Sequence, residues 1–441
     1  MLSDYCAQIK RNIYSKAAQA SYLVLGGNIL TQGLAFLVTV IIARTLGPSD
    51  YGTLAIAYTL MVFSIDIVDF GLEKSFVRYY SLYSQTDRRR ANQLFNDLFG
   101  LKLLLCILLC FIVYLTSGYL AKNLLLKPEL TLPLRLAGIG FIGGALLRFE
   151  ASFFQANEQF KKYIQVNLAH SIFRMSGLFV LIWLSLISIN HLMVMYVIAY
   201  FSGLTFSSFL LPKFSFSFPR HKEVFREIFG LSKWIFLSTI LVMVETRLDF
   251  FMLGHLSTKE EVGYFSAAWN IAYALPLIIV SICAALFPKV SKMSSKEELK
   301  TYVNKLLSFS PLIIPIMIGA IFLSRWVIWL IYGREYLPCV GPLQILVIGY
   351  SLILLIVPMS LVLYSLDKAW AIAMVNFLEL ASHGVANYFL IPSHGASGAA
   401  ISNLIVKIVT TVGTLGFIYF FLKKPDEVVE TKKLYGEVVK V

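Results

Sequence analysis

Apolar runs of about 20 residues follow one another along nearly the whole chain, each long enough to cross a bilayer as a helix rising 1.5 Å per residue. They lie near 21–43, 52–70, 98–117, 132–154, 163–187, 191–212, 228–251, 263–287, 301–323, 340–366, 369–391 and 396–422. The connections are short, and none reaches the roughly 50 residues that an extramembrane domain would need. The pattern predicts an all-α polytopic membrane protein with about 12 transmembrane helices.

The stretch 26–80 sets the theme. Two apolar runs, Gly26 to Ala43 and Thr53 to Val68, flank a short turn around Gly47-Pro48, and a basic, aromatic segment from Glu73 to Tyr80 follows. Proline cannot continue the helical ladder and glycine takes the unusual dihedrals, so the first helix stops there. The second half echoes this hairpin: Leu253-Gly254 stands where Leu46-Gly47 stands, and Val262-Gly263-Tyr264 where Tyr51-Gly52-Thr53 stands. Related halves are a common plan in transporters. The expected organisation is an amphipathic cytoplasmic segment over 1–20, a lobe over 21–212, a basic linker over 213–227 holding Pro219, a second lobe over 228–422 and a tail over 423–441.

Composition moves the prediction from apolar to lipid-embedded. The chain is 58% hydrophobic and 14% charged, with 34 Phe and 23 Tyr, whereas soluble domains carry about 25% charged residues. Water could not solvate that much apolar surface. The net charge of +13 does not indicate nucleic acid, because the basic residues sit between apolar runs, where they orient helices. With the N-terminus inside, inner segments hold Lys10, Arg11, Arg88, Arg89, Arg90, Lys213, Arg220, Lys222 and Lys289 among others, and outer loops hold few, such as Lys122, Lys259 and Arg334. The bias places both termini in the cytoplasm of a multi-pass cytoplasmic-membrane protein. No cleavable signal peptide is read at the start; the first apolar run serves as the membrane signal. Of the five cysteines, Cys106, Cys110 and Cys283 lie inside apolar runs and there is no CxxC, so they read as small apolar residues rather than disulfides or ligands.

A charge at mid-bilayer costs about 2.5–3.5 kcal/mol on insertion scales, so retained charges point to a cavity or a partner. The candidates are Asp66, Asp69, Arg148, Glu150, Arg174, Glu245, Arg247, Asp249, Glu379 and Lys407. Helical spacing groups several. Asn28, Gln32 and Thr39 share a face, as do Arg148, Ser152 and Gln155. Asn167, His170, Ser171 and Arg174 share another. Asn376, Glu379, His383 and Asn387 line one face of the run 369–391, and Asn403, Lys407, Thr410 and Thr414 one face of 396–422. Such stripes can line a wet interior, or can hold helices together by hydrogen bonds; charges near helix ends can also snorkel to the interface.

Two arginines suit a substrate carrying phosphate, because guanidinium is always charged and matches phosphate oxygens in a fork. The candidate substrate-binding residues are Arg148, Arg174, Lys407, Asn28, Gln32, Gln155 and Asn376. The candidate ion-coupling residues are Asp66, Asp249, Glu379 and His383, since a buried carboxylate can switch its charge. No Walker motif, Gly-x-Ser-x-Gly, His-Glu-x-x-His or metal-ligand spacing is present, so neither an enzyme, a cofactor nor a resident metal is expected.

Particular residues carry a family likeness. Ala43-Arg44-Thr45-Leu46-Gly47-Pro48 with Tyr51-Gly52, then Asp69-Phe70-Gly71-Leu72 and Val77-Arg78-Tyr79-Tyr80, resemble the polysaccharide flippases for O-antigen and lipid-linked oligosaccharides, part of the multidrug/oligosaccharidyl-lipid/polysaccharide exporter superfamily. Asp249-Phe250-Phe251-Met252-Leu253-Gly254, Leu286-Phe287-Pro288, Asn387-Tyr388-Phe389-Leu390-Ile391-Pro392 and Gly395-Ala396-Ser397-Gly398 resemble the same family. The likeness covers roughly 20–420. It implies two pseudo-symmetric six-helix lobes forming a V around a central, cationic cavity. It also implies alternating access coupled to a proton or sodium gradient. The implied substrate is a polyprenyl-pyrophosphate-linked glycan, with membrane lipid and other polysaccharide-assembly membrane proteins as neighbours. Two other readings stand beside it: a drug or metabolite antiporter of the same superfamily, disfavoured because cationic drugs seek acidic cavities, and a membrane polymerase or glycosyltransferase, disfavoured by the short outer loops.

Overall fold

The computed structural model describes residues 16–212, 233–290, 293, 295–366 and 368–423. The expected linker over 213–227 lies outside the described residues, as do the expected surface segment apart from 16–20 and the tail apart from Lys423.

Among the described residues the regular structure is helical: α1 Lys16–Asp69, α2 Leu72–Thr86, α3 Arg88–Tyr119, α4 Thr131–Ala156, α5 Phe160–Trp183, α6 Ile189–Leu210, α7 Lys233–Leu256, α8 Lys259–Ala272, α9 Ala274–Val290, α10 Lys296–Leu307, α11 Ser310–Ile331, α12 Val340–Ser365 and α13 Ala369–Lys423. Eight stretches among them are long and apolar enough to cross a membrane. Two are far longer than one crossing needs, at 47 and 55 residues, and each is interrupted by a glycine with non-helical dihedrals. In α1 it is Gly47 (φ 72, ψ 173), followed by Pro48; in α13 it is Gly395 (φ 52, ψ −127), with Pro392 just before. Both fall between predicted runs, where glycine takes a backbone conformation closed to residues with a Cβ.

Three departures from the sequence pattern appear. The predicted span 301–323 falls on two helices, α10 ending at Leu307 and α11 starting at Ser310. The predicted span 263–287 is divided at Tyr273 into α8 and α9, of 14 and 17 residues. Also, the segment after Asp69 is a helix rather than a loop. Phe70 (φ 42) and Gly71 (φ 79) make the turn, and the Asp69 carboxylate accepts from the backbone N–H groups of Gly71 and Glu73, both at 3.2 Å. The amphipathic α2 then buries Leu72, Phe76 and Tyr80 against Phe95 of α3 and Phe149 and Phe153 of α4. Asp87 starts α3 by accepting from the backbone N–H groups of Arg89 and Arg90 at 3.0 and 3.1 Å.

The chain divides into two compact units, residues 1–239 with 258–263, and residues 240–257 with 264–441. In the first, a Cβ on Gly52 would stand 2.7 Å from the Gly263 backbone nitrogen, and one on Gly263 would stand 2.9 Å from the Pro48 carbonyl carbon. The glycines of the sequence echo thus let two backbones touch. In the second unit, Tyr302 of α10 donates to the Pro358 carbonyl of α12 at 2.9 Å, beside a core that includes Val303, Met359, Val362 and Ile418.

Candidate functional site: charged clusters inside two helical units

Each unit holds a cluster of charges. In the first unit, Arg148 of α4 places Nη1 2.8 Å from Asp66 Oδ1 and Nη2 3.5 Å from Glu73 Oε2. Lys102 of α3, fully buried, places Nζ 2.7 Å from Glu73 Oε1 and 3.2 Å from Asp69 Oδ1. Its ammonium also lies 5.3 Å from the centre of the Phe149 ring. The Arg148 side chain is 45% exposed, so it keeps an open side while two acids hold its other edge. The turn at Phe70-Gly71 is what brings Glu73 back beside Asp66 and Asp69.

Arg174 is placed differently. It is 7% exposed, on α5, and its Nε and Nη2 groups have no hydrogen-bond partner. Phenols surround it: the guanidinium lies 5.7 Å over the Tyr196 ring, Tyr58 packs at a 39° tilt against Tyr196 with centroids 4.8 Å apart, and Tyr200 completes the group. His170, one turn earlier, stacks on Tyr200 at 4.5 Å and places Nδ1 3.2 Å from the Ala199 carbonyl. Glu150 does not pair with either arginine; its Oε1 accepts from Ser208 Oγ at 2.9 Å and its Oε2 has no partner.

The second unit gathers residues from α7 and both limbs of α13. His383 Nε2 lies 2.7 Å from Asp249 Oδ1. Asn387 donates to the same oxygen at 2.9 Å, and Asn403 to Oδ2 at 3.5 Å. Lys407 Nζ lies 3.3 Å from Glu245 Oε1, with Tyr350 of α12 alongside. His383 Nδ1 lies 3.4 Å from the same Glu245 oxygen without making a hydrogen bond. Glu379 accepts from Thr410. All of Glu245, Asp249, Glu379, His383, Asn387, Asn403 and Lys407 are buried. The side-chain oxygens of Asn387 and Asn403 have no donor. A carboxylate in direct contact with an imidazole ring can exchange a proton with it.

The predicted site residues therefore separate. Asp249 and His383 meet directly, while Glu379 and Lys407 join other members of that cluster. Asp66 and Arg148 meet in the first unit. Arg174 stands apart in its tyrosine cage. Asn28, Gln32 and Gln155 are exposed, and Asn376 is half-buried. Lys102, Glu73, Asn403 and Tyr350 complete the clusters beyond the predicted set. Asn403 was marked by its helical stripe; a lone lysine in the apolar run at 98–117 was the signal for Lys102.

Comparison with known proteins identifies the family and the fold. The family described as "Polysaccharide biosynthesis protein" matches residues 41–341. A Shigella flexneri protein named for O-antigen transport is 24% identical over 380 residues, covering 82% of this chain and 88% of its own. The fold is that of the lipid II flippase MurJ in an inward closed conformation, with TM-score 0.74 and 16% identity over 90% of this chain and 87% of that one. It is also that of an inward-facing multidrug resistance MATE transporter of the MOP superfamily, with TM-score 0.72 and 13% identity over 90% and 96%. The chain belongs to the polysaccharide biosynthesis protein family and is a multi-pass membrane protein.

Proposed function

We propose that the protein flips a polyprenyl-pyrophosphate-linked oligosaccharide across the cytoplasmic membrane for cell-surface polysaccharide biosynthesis. The observation that carries this reading is Arg174: a buried guanidinium with two unused donor nitrogens, Nε and Nη2, and phenols around it. An unpaired buried charge is costly, and an anionic group arriving at it recovers that cost. A pyrophosphate is such a group, and phenols can donate to its remaining oxygens. Arg148 lies in the same unit with an open side, but its cluster sets three carboxylates, Asp66, Asp69 and Glu73, against two cations, so the positive charge offered to the substrate is that of Arg174.

In this reading the chain makes about 12 crossings, arranged as two six-helix lobes in a V that opens alternately to either side, with both termini cytoplasmic. The second unit senses the ion gradient. A proton or sodium ion entering between Asp249, His383, Asn387 and Asn403 changes the charge balance that Lys407 and Glu245 hold. An ion can shift a conformational equilibrium only by binding one state better than the other, and a buried site that changes its packing between states supplies that difference.

The test is flipping of a fluorescent polyprenyl-pyrophosphate oligosaccharide in proteoliposomes, with and without a proton or sodium gradient. Transport of the glycolipid that responds to one gradient supports the proposal. Uptake of small amphiphilic cations, with no movement of any such glycolipid, would move the assignment to a drug antiporter.

A further inference from the structure

A cavity lies away from the charged clusters of the two units. It is half-open, with a volume of about 440 Å³, and sits between α10 and the end of α13. Its inner wall includes Val303 and Ile418, both buried in the core of the second unit. Its rim carries Lys300, Asn304, Tyr419 and Lys423, all exposed. The rim thus has two positive charges, and the lining includes no acid. Neither lysine has a carboxylate partner among the described residues; Lys423 lies 5.4 Å over the Tyr419 ring.

The wall is fixed rather than accidental. Ser295 caps α10 by accepting from the Glu298 backbone N–H at 3.2 Å, and Tyr302 ties the same helix to α12 through the Pro358 carbonyl. Val303, next to Tyr302, is held against the core by that tie. The cavity therefore presents a cationic mouth over an apolar floor, at the end of a membrane helix whose flank is itself apolar and exposed at Val412, Tyr419 and Phe420.

We infer that this cavity binds the headgroup region of an anionic glycerophospholipid. Its phosphate sits between Lys300 and Lys423, Asn304 donates to a headgroup oxygen, and an acyl chain lies over Val303 and Ile418 and along the outer face of α13. Basic pockets between helices at a membrane surface select anionic lipids in this way, each lysine adding about a factor of five in affinity. A zwitterionic lipid gains nothing from the pair of charges, and a free phosphate gains nothing from the floor.

The experiment is native mass spectrometry of the full chain, released from micelles that hold phosphatidylglycerol and phosphatidylcholine at equal concentration. The wild type should retain phosphatidylglycerol selectively. Lys300→Gln with Lys423→Gln should weaken that retention by roughly thirtyfold and leave phosphatidylcholine unchanged. Lys305→Gln, on the same helix but outside the lining, should behave as the wild type. The substituted side chains are exposed, so an unchanged elution profile confirms folding. Equal retention of the two lipids, or selectivity that survives the double substitution, overturns the inference. So does displacement of the lipid by inorganic phosphate, which would mark a free-anion site, or by polyprenyl phosphate alone, which would mark a carrier site.

Discussion

Removing Lys102 tests how the first unit holds its charges. Lys102→Met keeps the length and apolar stem of the side chain but deletes the ammonium that sits 2.7 Å from Glu73 and 3.2 Å from Asp69. The lysine is fully buried and the two carboxylates are 15% and 16% exposed, so little solvent can replace it. Breaking a buried pair by removing one partner costs about 3–5 kcal/mol, because the surviving charge stays buried. Arg148 remains beside Glu73 at 3.5 Å and takes up part of the loss, which places the expectation toward the lower end, about 3 kcal/mol. Arg148→Gln removes a guanidinium from the same cluster, but that side chain is 45% exposed, and half-exposed pairs contribute about 0–1 kcal/mol. The assay is thermal unfolding of detergent-purified protein, followed by loss of the monodisperse chromatographic peak. At about 2–4 °C per kcal/mol for a unit of this size, Lys102→Met should lower the midpoint by roughly 6–12 °C and Arg148→Gln by less than about 4 °C. Equal shifts for the two, or no shift for Lys102→Met, would refute the division into a structural lysine and an available arginine.

Two further outcomes follow from the geometry. Gly52→Ala and Gly263→Ala each drive a methyl group into a facing backbone that has no rotamer to give, so each should cost at least about 1–3 kcal/mol in the same unfolding assay; a neutral result at both would show that the two segments do not touch. Asp249→Asn keeps the size of the buried side chain but removes the charge facing His383, Asn387 and Asn403. It should abolish the response of transport to an imposed ion gradient while the protein still purifies as a folded monodisperse species; gradient-driven transport at wild-type level in Asp249→Asn would remove this cluster from the coupling step.

Much of the fold was legible because lipid imposes a simple rule: a crossing needs an unbroken apolar run, and most predicted runs fall on one helix, though 263–287 and 301–323 are each divided between two. Gly47 with Pro48, and Gly395 after Pro392, were readable as breaks for the same backbone reasons that the structure shows. The stripes at Asn376-Glu379-His383-Asn387 and Asn403-Lys407-Thr410 were readable from 3.6-residue spacing. Spacing places residues on a face but does not say what that face meets. That Asp249 would receive His383, Asn387 and Asn403 needed three segments brought together in space. Lys102 escaped because one charge has no period. The helix α2 escaped because its basic residues read as a loop, although Leu72, Phe76 and Tyr80, four apart, marked its buried side.

The proposed contact between Arg174 and the anionic group of a lipid-linked glycan is tested by glycolipid flipping in proteoliposomes with wild type, Arg174→Ala and Arg174→Lys. The account predicts that Arg174→Ala, recovered folded, loses about tenfold or more of the flipping rate, as expected for one charge-assisted contact of about 1.5–3 kcal/mol. It also predicts that Arg174→Lys recovers only part of it, because an ammonium lacks the two-pronged geometry. Undiminished flipping in folded Arg174→Ala would contradict the account and leave the arginine as a packing element of its tyrosine cage.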